Sequence, residues 1–286
     1  MSKKRKAKKK KKSTSSQWVV LLLLISGIGY LMNLYGCGGL SLREYNTPRY
    51  EGPTLTTHID DLDMARTAKG CPSQIIRHTG HTLSYNNNLR LANWVGYELT
   101  AQETMGNVER TDWFDADPKV KGTKVRHADY THSGFDRGHL APAADMKWSQ
   151  QAMVESFYMS NICPQVHALN AGLWNTLENR VRTWAQHDSA IIVVCGPIVP
   201  QQHSTIGKNR VAVPSHFYKI VAAPYSTTPR GIAFIMPNED IDNPLYTYAV
   251  TIDSVENTTG IDFLYNLPDS LENHIEQNID LKLWQL

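Results

Sequence analysis

The sequence predicts an α+β fold in which helices pack on a sheet. Segments with strand character outnumber helical segments, and the two kinds do not alternate in the regular order of a parallel α/β protein. Hydrophobic residues make up 41% of the 286 residues and charged residues 20%. This composition excludes a wholly disordered, collagenous or coiled-coil chain, because it supplies apolar surface for a folded core.

Four segments have strand character. The first, residues 91 to 99, reads LANWVGYEL. Short apolar runs bounded by glycine or proline follow at residues 190 to 194, 216 to 221 and 231 to 236. We expect these four segments to form the sheet.

Two segments have helical character. Residues 169 to 186 carry apolar side chains at spacings of four, four and three, which form one stripe on a helix and face a core. The stripe comprises Leu173, Leu177, Val181 and Trp184. A last helix is expected to begin near Pro268 and to run through Ile275.

The amino-terminal segment differs in composition from the rest. Nine of the 29 basic residues lie at residues 3 to 12, and an uncharged apolar run follows from Trp18 to about Leu34. This order is typical of a segment directed to a membrane, and the positive-inside rule makes residues 1 to 17 a basic cytoplasmic tail. We expect residues 18 to 36 to be a transmembrane signal anchor or a signal peptide. The folded domain would then be membrane-anchored and extracytoplasmic, in the periplasm or outside the cell.

Two alternatives concern the same segment. Residues 34 to 37 resemble a bacterial lipoprotein box, which would attach the chain through Cys37. An organelle-directing presequence is the other alternative. Residues 37 to 75 are rich in Gly, Thr, Pro and Asp and are predicted to be a linker, which leaves residues 76 to 286 as the folded domain.

The most informative motif is Asp136-Arg137-Gly138-His139. An imidazole has the pKa suited to taking a proton from water near neutral pH. The guanidinium of an arginine matches the oxygens of a phosphodiester. A glycine between the two side chains would let the backbone take a conformation that points both at one substrate.

Downstream polar residues extend this motif. Asn161 follows Ser160, and Asn170, Glu178 and Arg182 occur at spacings of eight and four with Trp174 between the first two. On a helix this row offers an amide oxygen, a carboxylate and a guanidinium, and Mg²⁺ prefers oxygen ligands. The alternative is structural, with Asn170 as a helix N-cap and Glu178 with Arg182 as an ordinary ion pair.

These motifs resemble those of the DNA/RNA non-specific endonucleases, the family that includes the Serratia-type nuclease and endonuclease G. The Asp-Arg-Gly-His string, the Ser-Asn-Ile-x-Pro-Gln string and the Asn-x-Gly-x-Trp-x-x-Leu-Glu helix occur in the family's order. Further matches lie at residues 94 to 97, 196 to 197, 213 to 219, 236 to 238 and 260 to 263. The resemblance covers about residues 80 to 275.

The resemblance implies a ββα-metal (His-Me finger) nuclease fold with a central antiparallel sheet flanked by helices. It implies that His139 is the general base, that Asn170 holds one Mg²⁺, with Mn²⁺ as a substitute, and that Asn161 supports the hydrogen bonding of the site. It further implies that Glu178 orients water at the metal, while the phosphate is bound by arginines. These are Arg137, Arg182 and, on a looser match, Arg110.

The implied activity is hydrolysis of phosphodiester bonds in DNA and RNA, leaving 5′-phosphate and 3′-hydroxyl ends. Since the contacts go to the phosphate, neither the base nor the 2′-hydroxyl is read. The alternative is a catalytically inactive nuclease-like surface domain that binds nucleic acid or a partner protein. From Ser13 onward 20 basic residues face 27 acidic ones, so we expect attraction of a polyanion to be local. The sequence leaves open whether the domain forms a homodimer.

Overall fold

The computed structural model describes residues 50 to 286, and a seven-stranded antiparallel sheet lies at its centre. The strand order is β1-β2-β3-β6-β9-β10-β11, and every neighbouring pair is antiparallel. The strands are β1 Gln74–Arg77, β2 Thr82–Asn86, β3 Leu91–Thr100, β6 Ala190–Ile198, β9 His216–Ala223, β10 Arg230–Pro237 and β11 Ala249–Val250. All four predicted strands are confirmed, and the α+β class with a central antiparallel sheet is confirmed with them.

Four further strands form two small hairpins outside this sheet. β4 Asp136–His139 pairs with β5 Ile162–Gln165, and β7 Thr205–Ile206 pairs with β8 Val211–Ala212. In the first hairpin, which carries the Asp-Arg-Gly-His motif, a long connection, residues 140 to 161, joins the two strands in place of a tight turn.

Both faces of the central sheet are buried. On β6, Ile191 and Val193 belong to one apolar cluster, whereas Ile192 and Val194 belong to the cluster on the opposite face. Successive side chains of a strand point to opposite faces, so a strand covered on both sides is apolar at every position. This is why residues 190 to 194 read as an unbroken apolar run.

On one face, the predicted helical stripe packs against the sheet. Helix α2, Asn175–Asp188, buries Leu177, Val181 and Trp184 in the first cluster. α1, Gln150–Ser156, precedes it in the chain. The predicted helix is not regular throughout, because a single α-turn, His167–Leu169, is joined to α2 by a π-helical turn, Asn170–Trp174. Within that turn Gly172 has φ −98° and ψ −110°, outside helical values.

On the other face lie two helices and part of the segment expected to be a linker. α3, Ile252–Thr259, and α4, Asp269–Gln277, confirm the predicted last helix and add one before it. Leu62 and Ala65 are buried in the same cluster. The main chain of Arg66 exchanges hydrogen bonds of 2.8 and 3.0 Å with that of Asp262. The carboxyl-terminal part of the predicted linker, residues 37 to 75, is therefore packed into the fold, because its apolar side chains cover the sheet.

The predictions for residues 1 to 36, including the transmembrane segment, lie outside the described residues. Among residues 50 to 286, none of the helices has the length and apolar character needed to cross a membrane.

Candidate active site

The hairpin of β4 and β5 positions the Asp-Arg-Gly-His motif. Gly138 pairs with Cys163, and His139 pairs with Ile162. Alternation along β4 places Arg137 and His139 on one face of the hairpin and Asp136 on the other. The motif therefore presents its cationic and imidazole groups together, away from its carboxylate.

Gly138 serves a different purpose from the one predicted. Its φ is not in the left-handed region, so the backbone conformation is one that other residues adopt. A Cβ at this position would lie 2.1 Å from Oε1 of Gln165. Glycine is required here by the close approach of the Gln165 side chain across the hairpin.

His139 lies against two aromatic rings. Its ring centroid is 5.5 Å from that of Phe114 and 4.9 Å from that of Phe157, and its buried Nε2 has no hydrogen-bond partner among the described residues. Burial, and then the nearby charges of Arg110 and Arg137, lower the pKa of His139 to about 3. The imidazole is therefore neutral near pH 7, as a proton acceptor must be.

The same two aromatic rings hold two arginines beside the imidazole. The guanidinium of Arg110 lies 4.9 Å from the ring centroid of Phe157, and that of Arg137 lies 4.8 Å from that of Phe114. Nη1 of Arg137 is also 3.0 Å from Nε2 of His127. The structure thus brings Arg110, Arg137 and His139 into one cluster around a pair of aromatic rings.

Asn170 is tied to the other side of the motif. Its Nδ2 donates to Oδ2 of Asp136 at 2.9 Å, and the same carboxylate oxygen lies 2.8 Å from Nδ1 of His167. Asn170 has helical dihedral angles and its main-chain N–H donates to Val166, so it is not a helix N-cap. No described residue bonds to its side-chain oxygen, and an oriented amide oxygen beside a carboxylate suits a hard divalent cation.

Arg182 is bound to a buried carboxylate. Its Nη1 donates to Oδ1 of Asp145 at 2.7 Å, and the hydroxyl of Tyr97 donates to Oδ2 at 2.8 Å. The Asp145 side chain is fully buried, whereas 17% of the Arg182 side chain is exposed. The alternative of an ion pair between Glu178 and Arg182 is wrong, because the partner of Arg182 is Asp145.

Glu178 lies in the same buried region as Lys219. Burial raises the pKa of Glu178 to about 7, and Lys219 and Arg182 oppose the shift. Lys219 is fully buried: its Nζ donates to the carbonyl of Leu140 at 3.3 Å and lies 4.7 Å from the ring centroid of Trp174. Its ammonium group is therefore bonded to the main chain of Leu140, the residue that follows His139.

Asn161 acts on the backbone of the site. Its Oδ1 accepts from the N–H of Ala141 at 2.9 Å, and its Nδ2 donates to the carbonyls of Ala141 and Ser156, each at 2.8 Å. The side chain is fully buried. Asn161 thus fixes the chain just after His139 and does not join the arginine cluster.

Four residues near the site were not singled out from the sequence. Phe114 and Phe157 carry no signal of their own. Lys219 does carry a sequence signal, because it is a charged residue within a predicted apolar strand. Asp145 is the last residue of the stretch that begins at Ser133 and contains the Asp-Arg-Gly-His motif, but nothing in the stretch identifies its partner.

Similar proteins include nucleases. The chain is 38% identical over 203 residues to Nuclease EXOG, mitochondrial, of Danio rerio, a match that covers 65% of this chain and 59% of that protein. It is 36% identical over 212 residues to Endonuclease G, mitochondrial, of Homo sapiens, with 68% and 71% covered. The chain therefore spans about three fifths of the length of the zebrafish relative.

A solved structure agrees with the fold. The crystal structure of an EndoG/EndoGI complex, described as showing the mechanism of EndoG inhibition, contains a chain that matches with a TM-score of 0.64 and 33% identity. The match covers 70% of this chain and 89% of that one.

The location predicted from the amino-terminal segment, membrane-anchored and extracytoplasmic, is wrong. The relatives that overturn it are named as mitochondrial proteins, and they include the Mitochondrial nuclease of Saccharomyces cerevisiae, 34% identical over 223 residues, with 70% of this chain and 68% of that protein covered. A basic stretch before an apolar stretch was interpreted as a membrane anchor on composition alone.

A family model described as DNA/RNA non-specific endonuclease matches residues 64 to 270. This range contains the whole central sheet and every predicted site residue. The resemblance inferred from the motifs is confirmed. The chain belongs to the DNA/RNA non-specific endonuclease family, whose members are enzymes that hydrolyse nucleic acid.

Proposed function

We propose that this protein is a metal-dependent endonuclease that hydrolyses phosphodiester bonds of both DNA and RNA and leaves 5′-phosphate and 3′-hydroxyl ends. One observation carries the proposal: the unpartnered Nε2 of His139 lies in a cluster with Arg110 and Arg137. A neutral base beside two guanidinium groups suits attack on a phosphodiester by water.

His139 is the proposed general base. Its Nε2 makes no hydrogen bond to the described residues and can accept a proton from water as the water oxygen bonds to phosphorus. The bond from phosphorus to the 3′ oxygen breaks, and the departing oxygen takes a proton from solvent water. The low pKa of His139 keeps the imidazole neutral, and in the tautomer with the proton on Nδ1 the Nε2 atom is the acceptor. A phosphate bound by the arginines would offset part of their effect on this pKa. Asn161 and Lys219 hold the following main chain, at Ala141 and Leu140, and so support the orientation of the imidazole.

Arg110 and Arg137 are the proposed phosphate-binding residues. The side chain of Arg110 is half exposed, and its ion-pair partner Asp112 is itself exposed, unlike the buried partner of Arg182. Both guanidinium groups lie against aromatic rings that restrict their positions. Each can donate to phosphate oxygens as negative charge builds on them. We assign Arg182 a positioning role instead, because its ion pair with buried Asp145 already engages it.

Asn170 is the proposed metal ligand, with phosphate oxygens of the substrate completing the site. Bound Mg²⁺, or Mn²⁺ as a substitute, would supply positive charge to the phosphate. Asp136 orients the amide of Asn170, and Glu178 contributes a half-buried carboxyl group from α2. All of the proposed contacts to substrate go to the phosphate and none to the base or sugar, which supports both DNA and RNA as substrates.

The test is cleavage of plasmid DNA and of a long RNA by the purified protein, with Mg²⁺ or with EDTA. We expect both substrates to be cut with Mg²⁺ and neither with EDTA. His139→Ala should lower the rate by a factor of about 10² to 10⁴, the usual contribution of a general base. His203→Ala, which removes an exposed imidazole, is the matched control. Cutting that survives EDTA or His139→Ala would contradict the mechanism, and inactivity of the unaltered protein would favour a binding domain.

A further inference from the structure

Three carboxylates meet on the face of the sheet opposite α2. Asp253 and Glu256 are three residues apart on α3, and Glu276 is in the last turn of α4. One carboxylate oxygen from each residue lies within 4.8 Å of the others. None of the three belongs to the candidate active site.

Glu276 differs from a surface acid. It is only 7% exposed, and its buried Oε1 has no hydrogen-bond partner among the described residues. A buried carboxylate oxygen without a donor is unfavourable, and its environment holds further carboxylates. Burial, and then Glu256 and neighbouring acids, raise the pKa of Glu276 to about 9.

The described part of the chain supplies no cation that relieves this repulsion. Within residues 50 to 286, none of the three carboxylates has an ion-pair partner. Glu256 is held in place through Oε1, which accepts from the main-chain N–H of Phe263 at 2.8 Å. The cluster is thus a fixed set of oxygen donors that either retains a proton or binds a cation from solution.

The donor set selects the class of cation. All three ligands are carboxylate oxygens, with no imidazole or thiolate, which favours a hard divalent ion over zinc or copper. Three oxygens at most 4.8 Å apart have a common point within about 2.8 Å of each, so side-chain shifts of a few tenths of an ångström bring them to Ca²⁺ to oxygen distances of about 2.3 to 2.6 Å. Asp253 and Glu256 are half-buried, so water can complete the irregular coordination that Ca²⁺ accepts and Mg²⁺ resists.

We propose that Asp253, Glu256 and Glu276 bind one Ca²⁺ ion that links α3 to α4. The site is independent of the nuclease reaction. Its effect is on stability, because an ion that binds the folded chain and not the unfolded one shifts the unfolding equilibrium.

The experiment is calorimetric titration and thermal unfolding of the full chain with CaCl₂, and separately with MgCl₂, after EDTA treatment. We expect one Ca²⁺ bound through the cluster and a rise in Tm of roughly 3 to 5 °C at ten times Kd. Both effects should be retained in Asn170→Ala, which removes the other candidate metal ligand, and in Asp269→Asn, which removes an exposed acid from α4.

Both effects should be lost in Glu276→Gln. Asp253→Asn, a change at a half-buried position, tests the cluster independently if the first variant does not fold. Absence of binding in the unaltered chain, or a Ca²⁺ shift that persists in these two variants, would overturn the site. An equal or larger shift with Mg²⁺ would overturn the choice of Ca²⁺.

Discussion

Asp145→Asn should destabilise the fold strongly, although the two side chains have nearly the same shape. The carboxylate is fully buried and accepts from Arg182 through one oxygen and from Tyr97 through the other. Asparagine offers a single oxygen, so one donor loses its acceptor and the charge of Arg182 loses its partner. Removing one member of a buried ion pair costs about 3 to 5 kcal/mol.

The partial exposure of Arg182 reduces this cost. Because 17% of its side chain is exposed, water can recover part of the lost interaction, and we expect a loss of about 3 kcal/mol in the free energy of unfolding. For a domain of this size that corresponds to a fall in Tm of about 6 to 12 °C. Urea and thermal unfolding measure both quantities, with the exposed Asp240→Asn as the control.

A double-mutant cycle with Arg182→Met separates the ion pair from other effects of the substitution. If the two side chains stabilise each other, the double variant is less destabilised than the sum of the single variants, by about 2 kcal/mol. The reasoning would be refuted by an Asp145→Asn variant within about 0.5 kcal/mol of the unaltered protein, or by additive single effects.

Two further predictions concern Gly138 and Glu178. Gly138→Ala should destabilise the fold by about 1 to 3 kcal/mol and lower nuclease activity, because the added Cβ would lie 2.1 Å from Oε1 of Gln165; unchanged Tm and kcat would contradict this. Glu178 has a pKa raised from 4.5 to about 7, so the folded chain holds a proton that the unfolded chain releases. The contribution of Glu178 to stability should therefore fall as pH rises from about 4.5 to 7, by an amount on the order of 2 kcal/mol, and Glu178→Gln should reduce the pH dependence by that amount. Urea unfolding in EDTA across that pH range measures it, and equal slopes for the two proteins would exclude the effect.

The parts of the fold predicted well are those encoded by local pattern. Residues 190 to 194 are apolar at every position because both faces of β6 are covered, and that property is visible in the sequence. The stripe of α2 is likewise local, since its members recur at helical spacing. The segment containing Leu62 and Ala65 was predicted to be a linker from its composition. Its packing has no local pattern, because its contacts are with residues some 200 positions later, such as Asp262.

The residues of the site were easier to identify than their partners. Arg137, Gly138 and His139 are adjacent in the chain, so their association required no knowledge of the fold. The pairing of Arg182 with Asp145 joins residues 37 positions apart, and a four-residue spacing to Glu178 made the wrong partner plausible. Gly138 was interpreted through its own backbone freedom, whereas the reason for it lies in the Gln165 side chain on the neighbouring strand.

At the turn Asn170–Trp174 the direction of the Asn170 side chain is independent of the direction in which α2 packs. α2 must direct Leu177, Val181 and Trp184 toward the sheet, while Asn170 must direct its amide toward Asp136. In a regular α-helix the angle between these directions is set by 3.6 residues per turn. Here the chain is kinked at Gly172, whose dihedral angles are not helical, so the direction of the amide is not fixed by the packing of α2. Chain length between Asn170 and Trp174 is therefore a determinant of the site in its own right, and loss of a single residue there would re-aim the amide even with every side chain of the motif intact.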